Sequence, residues 1–165
     1  MISLHEITPE LMHQYYRQFE SDPDLFMDMS QYTPYQYDPE KVDARYHAKK
    51  ASTDRRDFFI MRCGKPVGEV ILKHINLENG ECELSIHLQN NSVKNQGIGT
   101  RAEQLLLDYA FRELKMRVVF ADAVHKNTRS QHVLEKVGFE FVGEDSIFKH
   151  YIITQKRYRE FYSNL

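Results

Sequence analysis

Cysteine is scarce in this chain. Cys63 and Cys82 are its only two, and their spacing matches no metal-binding or redox motif. Two reduced thiols in a cytoplasmic protein are therefore expected. No two of the eight histidines stand at the His-x-x-x-His spacing of a helical zinc site, so no metal is expected either. Apolar runs are only a few residues long, far short of the roughly 20 that a membrane helix needs. The opening "MISLHEITPE" has neither the basic start nor the apolar stretch of a secretory signal. Neither charge dominates. The formal net charge is −2, which argues against nucleic acid as a partner. No repeat, low-complexity tract or linker interrupts the chain, so one domain, residues 1–165, is expected.

What is present is an ordinary globular balance, 41% hydrophobic and 28% charged, in a chain long enough to bury a substantial core. Residues 1–55 read as helical and irregular. Thr8 and Pro9 open a helix that places Leu11, Met12, Tyr15, Tyr16 and Phe19 on one stripe. Asp38 and Pro39 open a second through "PEKVDARYHAKKA", with the tyrosine-rich "QYTPYQYD" between them. From Arg56 the pattern turns to strands. "DFFIMRC" and "PVGEVILKHI" flank Gly64-Lys65 as a hairpin. In "ECELSIHL", Leu84, Ile86 and Leu88 alternate with Glu83, Ser85 and His87, the period of a strand. Residues 98–116 form the clearest helix, and "RVVFADAV" reads as a buried strand. "TRSQHVLEKV" is a short helix stopped by Gly138, followed by the strand pair "FEFVG" and "IFKHYIIT". The order is helix, helix, three antiparallel strands, helix, strand, helix, two strands. This is an α+β layout with one parallel crossover, residues 83–124.

Residues 94–100 read "KNQGIGT", two glycines placed where the long helix begins. Glycine is costly there unless a ligand needs bare backbone. A P-loop is excluded, because no lysine follows the second glycine in the required place. Gly97-Ile98-Gly99-Thr100-Arg101-Ala102 satisfies a dinucleotide fingerprint, with Asp122 near the distance of a ribose ligand. Against it, the polar "QNNSVKNQ" separates the glycines from their strand, and too little chain follows for a doubly wound sheet. The third reading is a helix N-terminus whose unpaired N–H groups and dipole hold a pyrophosphate.

That constellation resembles the acyl-coenzyme A site of the GNAT superfamily, the Gcn5-related N-acetyltransferases. Their loop reads Gln/Arg-x-x-Gly-x-Gly/Ala, and here Lys94-Asn95-Gln96-Gly97-Ile98-Gly99 stands in its place. "NTRSQHVLEKVGFEFVGE" resembles the family's second cofactor segment, with Asn127 at the asparagine that contacts the coenzyme arm. "NTRSxxVLEKVGF" is similar to the branch of ribosomal-protein N-terminal acetyltransferases. The match covers roughly residues 56–155, a sheet and acetyl-CoA-binding core, with residues 1–55 as the acceptor side. The resemblance implies a mixed, predominantly antiparallel sheet with a central splayed parallel strand pair, flanked by helices. It implies acetyl-CoA as co-substrate and transfer to a primary amine by direct attack in a ternary complex. It assigns cofactor contacts to Leu88, Gln89, Lys94, Asn95, Gln96, Gly97, Ile98, Gly99, Thr100 and Asn127.

The chemistry sets three tasks. An amine of pKa near 10.4 arrives protonated, so a base is needed. Glu83 and His87 share a strand face, and Glu83 matches by its spacing from Gly97 the general base of histone-type members. Glu69 and Glu81 are weaker alternatives; against the catalytic reading, Glu83 reads as a solvated or paired strand residue and His87 as a hydrogen-bonded interior histidine. Backbone N–H groups near Leu88 and Gln89 would meet the oxyanion. For the leaving thiolate, many members carry a tyrosine where this chain has Leu134. Ser130 is the nearest donor, with His132 and Tyr151 as outside candidates, although a thiol of pKa near 8.5 leaves tolerably unaided.

The segment with Asp22, Asp24, Asp28, Tyr32, Tyr35 and Tyr37 falls where the superfamily builds its acceptor pocket. Acids and aromatics together would receive a cationic amine; alternatively the tyrosines pack on the sheet and the aspartates cap turns. A protein N-terminus, an aminoglycoside, a polyamine and an amino-acid metabolite all remain acceptors. A monomer or homodimer is expected, and "QKRYREFYSNL" would cover the sheet or join a dimer. Two rivals stand beside the acetyltransferase: a non-catalytic acyl-CoA sensor, suggested by Leu134, and a small dinucleotide-binding oxidoreductase.

Overall fold

The computed structural model describes residues 1–25 and 29–163. Its strands are β1 (Ile2–Glu6), β2 (Arg56–Arg62), β3 (Lys65–Asn76), β4 (Glu81–Leu88), β5 (Val118–Val124), β6 (Glu140–Glu144) and β7 (Phe148–Thr154). They form one sheet in the order β1-β2-β3-β4-β5-β7-β6. Every neighbouring pair is antiparallel except β4 and β5. The expected mixed sheet with one central parallel pair is what the chain builds.

The helices are α1 (Pro9–Arg17), α2 (Pro39–Ala51), α3 (Ile98–Asp108), α4 (Thr128–Lys136) and α5 (Gln155–Tyr162). The Thr8 hydroxyl accepts from Leu11 N–H to cap α1, and Asp38 accepts from Glu40 and Lys41 N–H to cap α2. α3 continues through a π turn over Tyr109–Glu113. On one sheet face, α1 and α2 cover Ile7 and Phe59 with Met12, Tyr15, Tyr16 and Val42. On the other, Leu106, Leu107, Leu134, Val137 and Tyr158 from α3, α4 and α5 pack on Val70, Leu72, Leu84, Val119 and Ile153. Burial of these aliphatic and aromatic side chains, at about 25 cal/mol per Å² of apolar area, is the main stabilising term.

Two elements differ from the sequence expectation. "ISLHE" forms β1 on the sheet edge, paired Ile2 to Arg62 through Glu6 to Phe58. Its period-two signal is only two apolar residues long, and partnership with β2 makes it a strand. The C-terminal segment forms α5, capped by the Thr154 hydroxyl and stacked through Tyr158 on Phe111 at 4.7 Å.

The sheet divides at its centre. β4 and β5 pair only from Glu81–Val118 to Glu83–Phe120. Beyond that, β4 stays with β3 as far as Leu88 opposite Gly68, and β5 stays with β7 as far as Val124 opposite Phe148. Gly68 is required there: a Cβ would stand 2.9 Å from the His87 carbonyl oxygen. The two half-sheets diverge, so among the described residues the facing edges after Glu83 and Phe120 have no ladder partner.

Candidate active site

The opening leads into a cleft of about 340 Å³. Ile86, His87 and Leu88 of β4 form one wall, and Asn127, Ser130 and Val133 form the other. Lys94, Gly99 and Glu103 lie between them, and Phe19, Glu20, Asp22 and Asp24 close the rim.

At the mouth, the β4–α3 loop turns over an Asn90 cap and is pinned by buried Val93. Gly97, at φ +75°, precedes the first turn of α3 and brings no side-chain cap. A left-handed residue without a Cβ lets the chain enter α3 while its first N–H groups stay open. Ile98 is buried in the core, so only its backbone faces the opening, and Gly99 lines the cleft. Asn95 is also left-handed and is exposed, as is Gln96, whose amide bonds Arg62 and the Ser92 carbonyl and so shapes the loop. Thr100 is half-buried in the first turn of α3. Lys94 reaches back into an ion pair with Asp22, 2.8 Å apart and largely buried. Hydrogen bonding from Lys94 holds the Asp22 carboxyl below its ordinary range, against the effect of burial.

β4 supplies donors by its ladder phase. Gln89 N–H donates to the Val67 carbonyl, so it is not free for a ligand, and the Gln89 carbonyl accepts from Glu20 N–H. The Gln89 amide donates to the Tyr15 carbonyl. Alternation of an antiparallel ladder then turns the N–H of Leu88, the next residue back, away from β3 and toward the opening. Asn127 caps α4 with its amide oxygen, accepting from Ser130 N–H at 3.0 Å, which leaves its amide N–H groups without an intramolecular acceptor among the described residues. The Ser130 hydroxyl also makes no hydrogen bond among those residues.

The two base candidates separate. Glu83 lies at the closed end of the sheet opening, opposite Phe120, and does not line the cleft. Its carboxylate is 3.8 Å from Lys73 and 3.7 Å from His74. His87 stands at the open end, with Nε2 2.8 Å from Glu69 Oε2 and Nδ1 3.2 Å from the Tyr15 hydroxyl. Glu69, 1% exposed, also accepts from the Tyr16 hydroxyl at 2.6 Å and from Lys49 at 2.8 Å. Burial pushes this carboxyl up, but the hydrogen bond and charge of His87, with Lys49, outweigh it and hold the group at about 2. Tyr16 is pushed the other way, by burial first and then by Glu69. Leu134 is buried in the core, Tyr151 is buried against Phe141, and His132 is exposed; none lines the cleft.

A second groove, of about 590 Å³, opens between α2 and the sheet. Tyr16, Arg45, Lys49, Arg55, Ile71 and His87 line it, so His87 borders both cavities. The acidic and aromatic segment is arranged differently from a cation pocket. Tyr35 packs on Phe19 and Tyr16, and Tyr37 bonds His13 Nδ1 at 2.6 Å. Tyr32 is half-buried, and Asp22 is engaged by Lys94. Asp28 lies outside the described residues.

A family model described as an acetyltransferase (GNAT) domain matches residues 2–140. The chain belongs to the GNAT acetyltransferases. Over 87 residues this GNAT chain is 30% identical to the spermidine N(1)-acetyltransferase of Escherichia coli K12, covering 52% of this chain and 46% of that protein. Over 48 residues it is 46% identical to the probable N-acetyltransferase YjcK of Bacillus subtilis 168, covering 29% and 26% of the two. The matched stretches thus span half or less of these relatives. Among solved structures, a spermidine N-acetyltransferase chimera of Vibrio cholerae and hSSAT aligns with a TM-score of 0.76 at 17% identity, over 95% of this chain and 97% of that one. The dodecameric V. cholerae enzyme aligns at 0.73 with 19% identity, over 95% of each chain. At such identities these likenesses establish the GNAT fold alone. Among the described residues, no helix is long and apolar enough to cross a membrane, and no His, Cys, Asp and Glu group is arranged to hold a metal.

Two parts of this GNAT site escaped the sequence reading. The Tyr15, Tyr16 and Lys49 contacts to His87 and Glu69 come from α1 and α2, and only tertiary packing joins them. Glu103, 1% exposed on α3, has both carboxylate oxygens without a partner among the described residues. Burial pushes it up to about 8. Its signal was present, since an acid four residues from both Gly99 and Leu107 sits inside an apolar helix face.

Proposed function

We propose that this chain transfers the acetyl group of acetyl-CoA to a primary amine by direct attack within a ternary complex. The observation that carries the reading is the open wedge between β4 and β5, with an uncapped helix start at its mouth and a carboxylate-held histidine on its wall. Acetyl-CoA supplies an activated thioester. The open N–H groups of Gly97, Ile98, Gly99 and Thr100 take its diphosphate, and Lys94 adds positive charge on exchanging Asp22 for it. Asn95 and Gln96 hold the loop in shape. Asn127 donates its amide N–H groups to the arm, and the unpaired edge at Leu88 hydrogen-bonds it as a neighbouring strand would. Leu88 N–H is also the donor placed for negative charge developing on the carbonyl oxygen.

His87 takes the base role. Ionised Glu69 accepts only, so it fixes Nε2 as the N–H and leaves Nδ1 as the basic nitrogen. The Tyr15 contact to Nδ1, at 3.2 Å, is longer than the Glu69 bond and is the partner that an arriving amine displaces. The imidazolium that follows faces a carboxylate. Glu83, tied to Lys73 and His74 away from the cleft, takes no part in this reading. Ser130 is the hydroxyl available to the departing thiolate.

Thiol release from acetyl-CoA is the direct test, run over a panel of primary amines, with His87→Ala alongside. Turnover, with a rate lowered roughly a hundredfold by the substitution while titrated acetyl-CoA affinity holds, supports the reading. Binding without turnover on any amine favours a sensor, and absence of binding refutes both.

A further inference from the structure

We propose that the acceptor is an amino carboxylate whose carboxylate is received by Arg45 in the groove beneath α2 while its amino group faces His87. The inference rests on the acetyl-transfer reading and narrows its acceptor. The groove and the coenzyme cleft share His87 in their linings, so an amine lying in the groove reaches the histidine that also borders the cleft.

The charges on its wall are unequal. Lys49 is 2.8 Å from Glu69 and 3.5 Å from Asp57, and Arg55 places two N–H groups on Asp57 at 2.9 and 2.8 Å. Those two cations and two carboxylates neutralise one another. Arg45 is the third cation, and no carboxylate among the described residues pairs with it. Its guanidinium lies over the Tyr16 ring, 4.8 Å from the centroid. One helical turn away on either side stand Lys41, Val42, Ala48 and Lys49, so α2 supplies no acid to it and two more positive charges beside it. The guanidinium also acts on the Tyr16 hydroxyl as a hydrogen-bond donor, but it carries five N–H groups in one plane, so the remaining edge matches a carboxylate.

The spacing favours a compact molecule. Below the guanidinium, the Tyr16 hydroxyl is 2.6 Å from Glu69, and Glu69 is 2.8 Å from His87. One tyrosine ring, one carboxylate and then the imidazole from Nε2 to the basic Nδ1 therefore separate the anion receiver from the base, a span suited to a short amino acid. A polyamine meets the opposite conditions in this groove, since it would lie against Arg45 while Glu69 and Asp57 are already engaged by Lys49 and Arg55. Among the described acids of the acceptor side, Asp22 is already paired with Lys94, and Glu20 and Asp24 line the other cleft.

Initial rates of thiol release test the inference, with acetyl-CoA and matched acceptors: amino acids, the same amino acids as carboxamides, and spermidine. The expected result is a kcat/KM at least about tenfold higher for the carboxylate than for its amide, carried mainly in KM. Arg45→Ala should bring that ratio to about one, and Arg45→Glu should invert it in favour of spermidine. Both variants are read as ratios, so a general loss of activity cancels. Faster turnover of spermidine or of the amides overturns the inference and leaves acetyl transfer standing, as does a ratio that Arg45→Ala does not change. Turnover on no amine overturns both.

Discussion

The imidazole of His87 and the carboxylate of Glu69 face each other across β3 and β4, with Nε2 and Oε2 2.8 Å apart. The histidine side chain is partly open to the cleft, and the glutamate is 1% exposed. The pair joins a chemical surface to a buried anchor. Lys49 and the Tyr16 hydroxyl complete the coordination of the carboxylate, so its charge is matched rather than isolated.

Glu69→Gln should therefore act on both stability and chemistry. It removes the anion that orients His87 and leaves Lys49 without its nearest partner, at a cost of about 3 kcal/mol in urea unfolding. His87→Ala should cost less stability but more rate. The pH dependence has a definite sign. The folded Glu69 carboxyl is held at about 2, below its ordinary 4.5, so its contribution is present above 4.5 and is lost as pH falls toward 2. Acid unfolding followed by circular dichroism should show this dependence in the native chain and not in Glu69→Gln.

Glu103 predicts the opposite slope. Its carboxyl is raised from 4.5 to about 8 by burial, so the folded chain keeps a proton that the unfolded chain releases. Stability should fall as pH rises from 4.5 to about 8 and change no further above it, by up to about 5 kcal/mol. Glu103→Met should remove that decline and be the more stable form at pH 9. Denaturant unfolding of both proteins at pH 5 and pH 9 measures it; parallel behaviour of the two would refute the assignment.

Asp22 and Lys94 should have opposite effects on the coenzyme. Because Asp22 occupies the lysine proposed above to meet the diphosphate, Asp22→Asn should tighten coenzyme A binding and Lys94→Ala should weaken it. Each change should be about tenfold at low salt and smaller at high salt. Isothermal titration at two ionic strengths checks both the signs and the screening.

Gly97→Ala should be unfavourable through backbone alone. A Cβ there meets nothing within 4 Å, yet φ is +75°. The left-handed conformation costs an alanine about 1 kcal/mol, and under the proposed binding mode the methyl group would stand in the diphosphate's path. A modest loss of stability with a larger loss of coenzyme A affinity is expected. Equal binding by the variant would place the diphosphate elsewhere.

Much of this molecule is local in origin. Thr8 and Asp38 cap their helices within a few residues, Leu84, Ile86 and Leu88 alternate along one strand, and Gly97 opens a helix it cannot cap. Such features depend on neighbours in the chain, so the α+β layout, the central crossover and the glycine loop are legible before folding. β1 and α5 are less so, because "ISLHE" is too short to show its period and "QKRYREFY" acquires a buried face only against Phe111 and Val137.

The sequence by itself determined the strand face that carries Glu83 and His87 and the helix start that Gly97 leaves without a side-chain cap. Tertiary structure decided between those two residues. Four positions along a strand are about 13 Å, enough to put Glu83 at the zipped end of β4 and His87 in the open cleft. It also brought Tyr16, Lys49 and Glu69 together from three separate elements and left Arg45 without a carboxylate partner among the described residues. Periodicity reports which face a side chain occupies; only the packing of distant segments sets what stands opposite it, and pairing of charges depends on that.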